Sequence, residues 1–322
     1  PKDINCLNIN FRSIECQFSG GEPTLRDDLP ELIRLARNMG FGYIQLNTNG
    51  LRLAADHSFA RQLKEAGLAV VFLQFDGTRD EIYRQLRGQA LLEYKQKAIA
   101  CCRELGLGVV LVPTLVPGIN QDNIGEIIDF ALQGGPGIRG VHFQPVAYLG
   151  RYSQAPDNHN RITLPEVMRA IVEQSQGRIQ LADLLPGGCE HSHCSFHGDF
   201  VCLEDGSLKA LSSRQRSCCS SADRSSAEEK KRDYVSRRWG GQYQSCTVSK
   251  GQTIKLGEWE DFLVRVQTHS FSISAMAFQD VWNLDLERLQ HCSLQVMSPT
   301  GKKVPFCAYN LTSSKGESLY RK

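Results

Sequence analysis

The strongest constraint on the fold is an alternation of short apolar runs with segments of helical period between Glu15 and about Pro145. The runs are rich in β-branched residues and nearly continuously hydrophobic, which is typical of strands in a parallel sheet whose two faces are covered. They are ECQFS (15–19), YIQLN (43–47), LAVVFLQF (68–75), VVLVPTLV (109–116) and GVHFQP (140–145). The alternation predicts a series of βα units in an α/β fold.

Two architectures satisfy this pattern, a doubly wound open sheet and a (β/α) barrel. About 130 residues are too few for a closed eight-stranded barrel, which needs about 250, so a barrel would be open and partial. In both architectures ligands bind at the carboxyl ends of the strands. Glycine, proline and polar residues follow the predicted strands at 19–23, 47–50, 74–77, 113–114 and 144–145. Thr78 and Glu81 have the spacing of a capping box at the start of the next helix.

The βα pattern stops after Arg151, which predicts a first region over 1–150 and a second over 151–322. Within the second, 185–202 is dense in cysteine and histidine, and an α+β unit follows at about 258–310. Residues 207–240 carry nine basic and four acidic side chains among many serines, which predicts a mobile basic loop.

Charge and hydropathy exclude several function classes. The formal net charge is +2, so no global field favours nucleic acid or an anionic membrane. The basic side chains of 207–240 are not interleaved with stacking aromatics, so we expect no nucleic-acid partner. No apolar run approaches the about 18 residues of a membrane span, and PKDINCLNINFR has no signal-peptide core. We expect a cytoplasmic protein, and the basic loop leaves a peripheral membrane contact open.

Twelve cysteines are unusual for a reducing compartment, where buried thiols, redox chemistry or metal ligation replace disulfides. Cys189 and Cys194 form Cys-x4-Cys, Cys202 lies eight residues further on, and histidines lie between them. This pattern is compatible with zinc or an iron–sulfur centre, and buried thiols among surface histidines are the alternative. The adjacent Cys218 and Cys219 are either a redox or substrate-capturing pair or an incidental one.

The segment Ser19-Gly-Gly-Glu-Pro-Thr24 is a further candidate site. Two glycines at a strand end allow the backbone to approach a ligand, and the adjoining Glu22 can accept hydrogen bonds from an ammonium group. Phosphate binding is disfavoured, because the segment has neither the Walker lysine nor G-x-G-x-x-G and Glu22 would repel an anion. From these residues alone, a tight turn without a ligand stays open.

FSGGEPTLRDDLPELI, followed by strands ending in LNTNG and in Asp76-Gly77, resembles the radical S-adenosylmethionine superfamily over about residues 14–150. The resemblance implies a partial (β/α)6 barrel, here without its first βα unit, and a Cys-rich α+β C-terminal region. It implies that Gly20, Gly21 and Glu22, with Pro23, hold the methionyl amino group of the cofactor.

The same resemblance assigns further residues by strand position. It implies that Gln74, Asp76 and Thr114 face the ribose and carboxylate of S-adenosylmethionine and that the backbone near Phe143 and Gln144 lines the adenine. Asn49, at the end of the preceding strand, joins this cofactor site.

The segments GGCEHSHCSFHGDFVCLEDGSLKALS, SISAMAFQDVWNLDLERLQ and PFCAYN, with Cys218-Cys219, are similar to the radical SAM (seleno)protein TrsS family and its relatives in the tetraether-lipid synthase and pterin-linked methylase group. The similarity implies a [4Fe–4S] cluster that cleaves S-adenosylmethionine reductively, giving a 5′-deoxyadenosyl radical for C–H activation. Methylation or C–C coupling on a small-molecule or lipid-like substrate would follow. A ferredoxin or flavodoxin as reductant and a methyltransferase as partner are implied too.

Extra clusters in these relatives imply an auxiliary [4Fe–4S] cluster on Cys189, Cys194 and Cys202, with Cys307 or Cys292 as fourth ligand. The superfamily's Cys-x3-Cys-x2-Cys, which holds the radical SAM cluster, is absent from the 322 residues. We expect it to lie in a preceding part of the protein. The alternative is a cluster-less, non-catalytic barrel that acts as a metal-binding scaffold or partner subunit.

Overall fold

The computed structural model of the chain describes residues 15–150, 154–187, 191–211, 258–298, 300–313 and 316–320. The predictions made for Cys189, for Cys218 and Cys219, and for most of the basic loop at 207–240 lie outside these ranges.

The predicted βα series is present. Its strands are β1 (Glu15–Phe18), β2 (Tyr43–Thr48), β3 (Val70–Gln74), β4 (Gly108–Val112), β5 (Thr114–Leu115) and β6 (Ile138–Pro145). The intervening helices are α1 (Leu29–Asn38), α2 (Leu51–Ala55), α3 (His57–Ala66), α4 (Asp80–Arg87), α5 (Leu92–Glu104) and α6 (Ile124–Gln133). The run 109–116 forms two strands rather than one, because Pro113 has no N–H to donate to a continuous ladder.

The remaining elements follow residue 150. They are α7 (Leu164–Gln174), β7 (Leu185–Pro186), β8 (Ser195–Cys202), β9 (Leu208–Ala210), α8 (Glu258–Thr268), β10 (Ser270–Met276), α9 (Leu286–Gln290), β11 (Gln295–Met297), β12 (Lys303–Pro305) and α10 (Phe306–Tyr309).

The main sheet has the strand order β1-β2-β3-β4-β6-β10-β8-β7. The first five strands are parallel and follow the chain order without a reversal. A doubly wound sheet reverses its strand order at a switch point, so this winding is of the barrel type. The described strands leave β1 at one edge of the sheet and β7 and β9, which both pair with β8, at the other.

The helices cover one face of this sheet. An apolar stripe on α6, made of Ile124, Ile127, Ile128 and Ala131, is fully buried there, together with alternate residues of the strands such as Val141. We call the opposite side the open face. Its apolar residues form a much smaller cluster of Tyr43, Val70, Phe72, Val110 and Val112.

The sheet extends across the boundary predicted at residue 150. Strand β10 pairs in parallel with β6, with Ser272 opposite Gly140, and β8 pairs with β10 in antiparallel orientation. Strands from the second region therefore continue the βα sheet of the first. Among the described residues, none of the helices combines the length and hydrophobicity that crossing a lipid bilayer requires.

The capping box predicted at Thr78 and Glu81 is wrong. Helix α4 begins at Asp80, and the Thr78 hydroxyl donates to Glu126 Oε2 at 2.7 Å instead. Its backbone N–H donates to Asn123 Oδ1 at 2.9 Å. Acceptors at the start of α6, distant in sequence, thus replace the local cap.

Candidate functional site

The residues predicted to bind the cofactor gather at the carboxyl edge of the sheet. Gly20, Gly21 and Glu22 follow β1, Asn49 follows β2, and Gln74 is the last residue of β3. Asp76 comes two residues later. Thr114 and Gln144 are paired across β5 and β6, where the Gln144 N–H also donates to Pro113 O at 2.9 Å.

The carboxylate of Glu22 is held by four donors. Oε1 accepts from the Thr24 N–H (3.1 Å) and hydroxyl (2.6 Å) and from the Thr48 hydroxyl (2.6 Å). Oε2 accepts from the Asn49 N–H at 2.7 Å. Each carboxylate oxygen offers about two lone pairs, so Oε2 keeps room for a further donor. The side chain is only half-buried, so a ligand can reach it.

The two glycines before Glu22 need their conformational freedom. Gly20 has φ +90° and Gly21 has φ +53°, a left-handed region that side chains rarely adopt. A Cβ at either position would meet no atom within 4 Å, so open space adjoins this backbone. The turn therefore presents bare peptide groups next to an oriented carboxylate, which is a suitable arrangement for an ammonium-bearing ligand.

Arg87, the last residue of α4, connects three of the predicted residues. Its guanidinium forms a bidentate ion pair with the fully buried Asp76, at 2.8 and 2.9 Å, and its Nη2 lies 3.5 Å from the Thr114 hydroxyl. With its amide oxygen turned toward Arg87, Gln74 accepts from the same guanidinium at 2.6 Å. Asp76 is fully buried and holds Arg87, so the structure gives this residue a supporting contact, and its predicted contact to the cofactor stays a prediction.

The side chain of Lys95 on α5 extends to the same carboxyl edge of the sheet. The side chain is fully buried, and Nζ donates to the Asn49 carbonyl at 2.6 Å. Burial lowers the pKa of Lys95 to about 8, while Asp76 and Glu22 raise it and Arg87 lowers it.

Sequence reasoning missed both Arg87 and Lys95. A signal for Lys95 exists, because it lies three, four and seven residues before Ala98, Ile99 and Cys102 on the buried stripe of α5. A charged residue in an apolar stripe indicates a buried partner.

Polar side chains line much of the open face. His142 Nδ1 lies 2.9 Å from Ser274 Oγ, and the His142 ring meets Phe72 edge-on. Burial lowers the pKa of His142 to about 4, so its imidazole is neutral near pH 7. The Ser272 hydroxyl donates to Asp199 at 2.6 Å. Further toward β1, Gln45 pairs with Glu15 and Asn47 with Ser19, at 3.5 and 3.4 Å.

Cys194 and Cys307 both contact the segment that follows the carboxyl end of β10. Cys194 Sγ accepts from Arg288 Nε at 3.3 Å, and Cys307 Sγ accepts from the Gln279 N–H at 3.3 Å. Burial raises the pKa of the Cys307 thiol, the Gln279 N–H lowers it, and nearby Cys292 and Cys194 add to the increase. Within the described ranges, no group of three or more His, Cys, Asp and Glu side chains is close enough to hold a metal ion.

Cys202 does not belong to this group. It ends β8, whereas Cys194 immediately precedes the start of that strand. Because a strand rises about 3.3 Å per residue, the two residues are on the order of 25 Å apart. The prediction that Cys202 shares a metal with Cys194 and Cys307 is therefore wrong.

Comparison with known proteins gives a family match and several relatives. Residues 7–131 match the model of the radical SAM superfamily. The chain is 32% identical to the 7,8-dihydro-6-hydroxymethylpterin dimethyltransferase of Methanocaldococcus jannaschii over 91% of its length, and it spans 66% of that protein. It is 32% identical to the probable GTP 3',8-cyclase of Methanococcus aeolicus over 43% of the chain and 46% of the relative. It is 35% identical to the Fe-coproporphyrin III synthase of Methanosarcina barkeri over 45% of the chain and 35% of the relative.

Solved structures show more distant similarity. A domain of pyruvate-formate lyase-activating enzyme from Bacteroides vulgatus aligns with a TM-score of 0.39 and 15% identity, covering 51% of this chain and 94% of that one. Native anSMEcpe with bound AdoMet aligns with a TM-score of 0.39 and 18% identity, covering 52% and 46%.

The family match agrees with the glycine-rich turn and the oriented glutamate. Radical SAM proteins use S-adenosylmethionine and a [4Fe–4S] cluster, and the sequence relatives described above are named as enzymes. The chain carries a radical SAM superfamily domain and is homologous to radical SAM enzymes of the pterin dimethyltransferase type.

Proposed function

We propose that this chain is part of a radical S-adenosylmethionine enzyme and binds the cofactor at the carboxyl edge of its sheet. The observation that carries the proposal is the Glu22 carboxylate, which four donors orient while Oε2 keeps acceptor capacity. The methionyl ammonium of S-adenosylmethionine would take that place, next to the bare backbone of Gly20 and Gly21. Charge-assisted hydrogen bonds of this kind are the stronger ones in proteins.

The surroundings of the other predicted residues suit the negatively charged carboxylate of the cofactor. Arg87 is the cation nearest to Gln74, Asp76 and Thr114, and about a third of its side chain is exposed. It can meet a carboxylate from its exposed side while Asp76 holds it from the buried side. Together with a [4Fe–4S] cluster, S-adenosylmethionine supplies reductive cleavage that activates a C–H bond. The 322 residues contain no Cys-x3-Cys-x2-Cys to hold that cluster. We therefore assign to Glu22, Arg87 and the neighbouring predicted residues only the binding and orientation of S-adenosylmethionine.

The finer family assignment belongs to the same proposal. We place the chain in the TrsS group, as a partial (β/α)6 barrel followed by a Cys-rich region. An auxiliary cluster would be held by Cys194, Cys292 and Cys307, with Cys189 as the fourth ligand. The positions of Cys194 and Cys202 at opposite ends of β8 support this choice over the set that includes Cys202.

The open face favours a polar substrate. A neutral His142, with Ser274 beside it and the amides of Gln45 and Asn47 further along the sheet, suits a molecule that offers hydrogen-bonding groups. A lipid chain would offer no partner for the remaining hydrogen-bonding capacity of these groups, and burying unpaired polar groups costs free energy. We propose methylation of a polar ring, in line with the pterin dimethyltransferase relative. A ferredoxin or flavodoxin would supply the electron, and a methyltransferase partner fits the same reaction. The non-catalytic scaffold is not favoured, because the relatives are named as enzymes.

The role of Glu22 is tested by Glu22→Ala in the full-length, anaerobically purified protein. Losing a hydrogen bond to a charged group costs about 1.5 to 3 kcal/mol, so the Kd for S-adenosylmethionine should rise about tenfold or more. Isothermal titration calorimetry measures it. The matched control is Glu31→Ala on the exposed side of α1, which should leave the Kd unchanged. If the folded Glu22→Ala variant binds as tightly as wild type, the assignment of the ammonium site is wrong.

A further inference from the structure

We propose that Lys95 is a positioning residue of the cofactor site, whose buried ammonium group fixes the backbone of Asn49 and thereby the carboxylate of Glu22. The inference rests on the proposed function, because it assigns a role toward the site that would hold S-adenosylmethionine. Nothing in the glycine-rich motif itself indicates a residue on α5.

The contacts form a continuous path. Lys95 Nζ donates to the Asn49 carbonyl at 2.6 Å, and the Asn49 N–H donates to Glu22 Oε2 at 2.7 Å. In parallel, the Gly50 N–H donates to the Thr48 hydroxyl at 3.0 Å, and that hydroxyl donates to Glu22 Oε1 at 2.6 Å. Residues 48–50 therefore hold the carboxylate, and Lys95 holds residue 49.

This short segment has little freedom to move. Gly50 has φ +79°, and a Cβ there would lie 2.4 Å from Leu73 Cδ1 and 3.3 Å from Ala98 Cβ. The segment is thus pressed between β3 and α5. A small displacement of the Lys95 end would be transmitted to the Asn49 N–H and the Thr48 hydroxyl rather than absorbed by a loose turn.

Stability alone does not explain a lysine at this position. Lys95 is fully buried on an apolar stripe, and burying an ammonium group costs several kcal/mol unless its partners compensate. Its lowered pKa shows that compensation is incomplete, because burial outweighs the favourable charges of Asp76 and Glu22. An apolar side chain of the same length would pack there without that cost. The charge of Lys95 is better explained by its hydrogen bond to the Asn49 carbonyl, which fixes the backbone beside Glu22.

The pH dependence follows from the same contacts. The charged and titratable groups that face Lys95 are Asp76 after β3, Glu22 after β1, and Arg87 and Tyr83 on α4. Below about pH 8 the ammonium is charged and the Asn49 carbonyl is held most strongly; above it the charge is lost. Binding of the cofactor should weaken as pH rises through this range.

The experiment compares Lys95→Met with wild type in the full-length protein. Methionine keeps the length of the side chain and removes the charge. Lys97→Met is the matched control, because Lys97 is exposed on the same helix and its ion pair with Glu93 is exposed as well. Lys95→Gln keeps an N–H donor without the charge. The readouts are the Kd for S-adenosylmethionine between pH 6.5 and 9.5, hydrogen exchange of the segment around 48–50, and the urea unfolding midpoint.

We expect Lys95→Met to raise the Kd about tenfold at pH 7, the effect typical of losing a charge-assisted hydrogen bond, and to flatten its pH dependence relative to wild type. Groups on the cofactor titrate equally in both proteins, so the difference between the two profiles reports Lys95. Exchange around 48–50 should accelerate, Lys95→Gln should be intermediate, and Lys97→Met should match wild type. The unfolding midpoint should not fall, whereas a merely structural role would lower it.

An unchanged Kd and pH profile in folded Lys95→Met, while wild type binds S-adenosylmethionine, overturns the inference and leaves the proposed function standing. If wild type itself does not bind the cofactor, the proposed function fails. Exchange around 48–50 then decides the positioning role alone: unchanged exchange in Lys95→Met overturns it, and accelerated exchange supports it. If Lys95→Met does not fold, the same criteria apply to Lys95→Gln.

Discussion

At the residue scale, the ion pair of Arg87 and Asp76 is the contact on which the carboxyl edge depends most. Asp76 is fully buried, so truncating Arg87 removes its ion-pair partner and leaves only the nearby Lys95 charge and the Thr114 N–H, at 3.2 Å, to stabilise the carboxylate. Breaking such a pair from one side typically costs about 3 to 5 kcal/mol. Arg87→Met should therefore lower the free energy of unfolding, measured in urea, by about 3 kcal/mol, toward the lower end because Arg87 is partly exposed.

Arg84→Met on the same helix is the matched control for this prediction. Arg84 pairs with Glu81 three residues away, and both side chains are mostly exposed. Exposed pairs contribute about 0 to 1 kcal/mol, so its effect should be small. Asp76→Asn added to Arg87→Met should recover part of the loss, because the buried charge is then removed. Equal effects of Arg84→Met and Arg87→Met would contradict the view of Asp76 as a buried charge.

The residues of the site differed in how well the sequence predicted them. Gly20, Gly21 and Glu22 were predictable, because their chemistry is contiguous in the chain and their backbone geometry requires glycine. The partners of Arg87 and Lys95 were not predictable, since Asp76 and Asn49 lie 11 and 46 residues away from them in the chain. Cys202 was misassigned because spacing along the chain cannot show that an intervening segment is a fully extended strand.

At the scale of secondary-structure elements, the turn between β2 and α2 links the sheet to the carboxylate of Glu22. Gly50 and Gly88 have nearly the same φ, +79° and +78°, but differ in surroundings. A Cβ at Gly50 would clash with Leu73, whereas one at Gly88 would meet nothing within 4 Å. Alanine at either position should lower the free energy of unfolding by about 1 to 2 kcal/mol, because its Cβ disfavours the left-handed backbone conformation. Alanine at Gly50 should cost about 1 to 3 kcal/mol more, because it also overpacks the contact between β3 and α5.

Urea unfolding of the Gly50→Ala and Gly88→Ala variants measures this difference. Gly50→Ala should also weaken binding of S-adenosylmethionine, because the displaced turn carries two of the Glu22 donors. Gly88→Ala should bind the cofactor as wild type does. Equal destabilisation by both substitutions would mean that the Leu73 contact yields without cost.

The elements themselves were well predicted where hydrophobic periodicity dominates, as in the strands and the buried stripe of α6. The start of helix α4 was predicted wrongly. At α4 the expected local cap is replaced by the contact of Thr78 with Glu126 on another helix. Such a contact depends on how α4 and α6 pack against the sheet, and the spacing of residues along the chain does not predict that packing.

At the scale of the whole molecule, the sheet joins the two regions that the sequence appeared to separate. The βα pattern ends near residue 150, but β10 returns from residue 270 to pair with β6. The hydrophobic pattern of the sequence does not predict this pairing, because a single strand of seven residues carries too little pattern to indicate its partner. Strand β8, which begins directly after Cys194, and the βα strands of the first region are thereby parts of one continuous sheet.

Gly140 is the point at which this continuity can be tested. It lies in β6 opposite Ser272, and a Cβ there would come within 2.2 Å of the Ser272 carbonyl oxygen on β10. Backbone cannot yield as a flexible side chain does, so Gly140→Ala should destabilise the protein by about 1 to 3 kcal/mol, as overpacking typically does. Hydrogen exchange should accelerate across Ser270–Met276, and limited proteolysis should release the C-terminal part first.

Gly42→Ala is the control, since Gly42 directly precedes β2 and a Cβ there meets nothing within 4 Å. Without a clash, alanine usually stabilises slightly by reducing the entropy of the unfolded chain. Exchange in β1 and β2, at the other edge of the sheet, should change little in Gly140→Ala. If protection of Ser270–Met276 is retained in that variant, β10 does not pair with β6 as described, and the two regions are independent units.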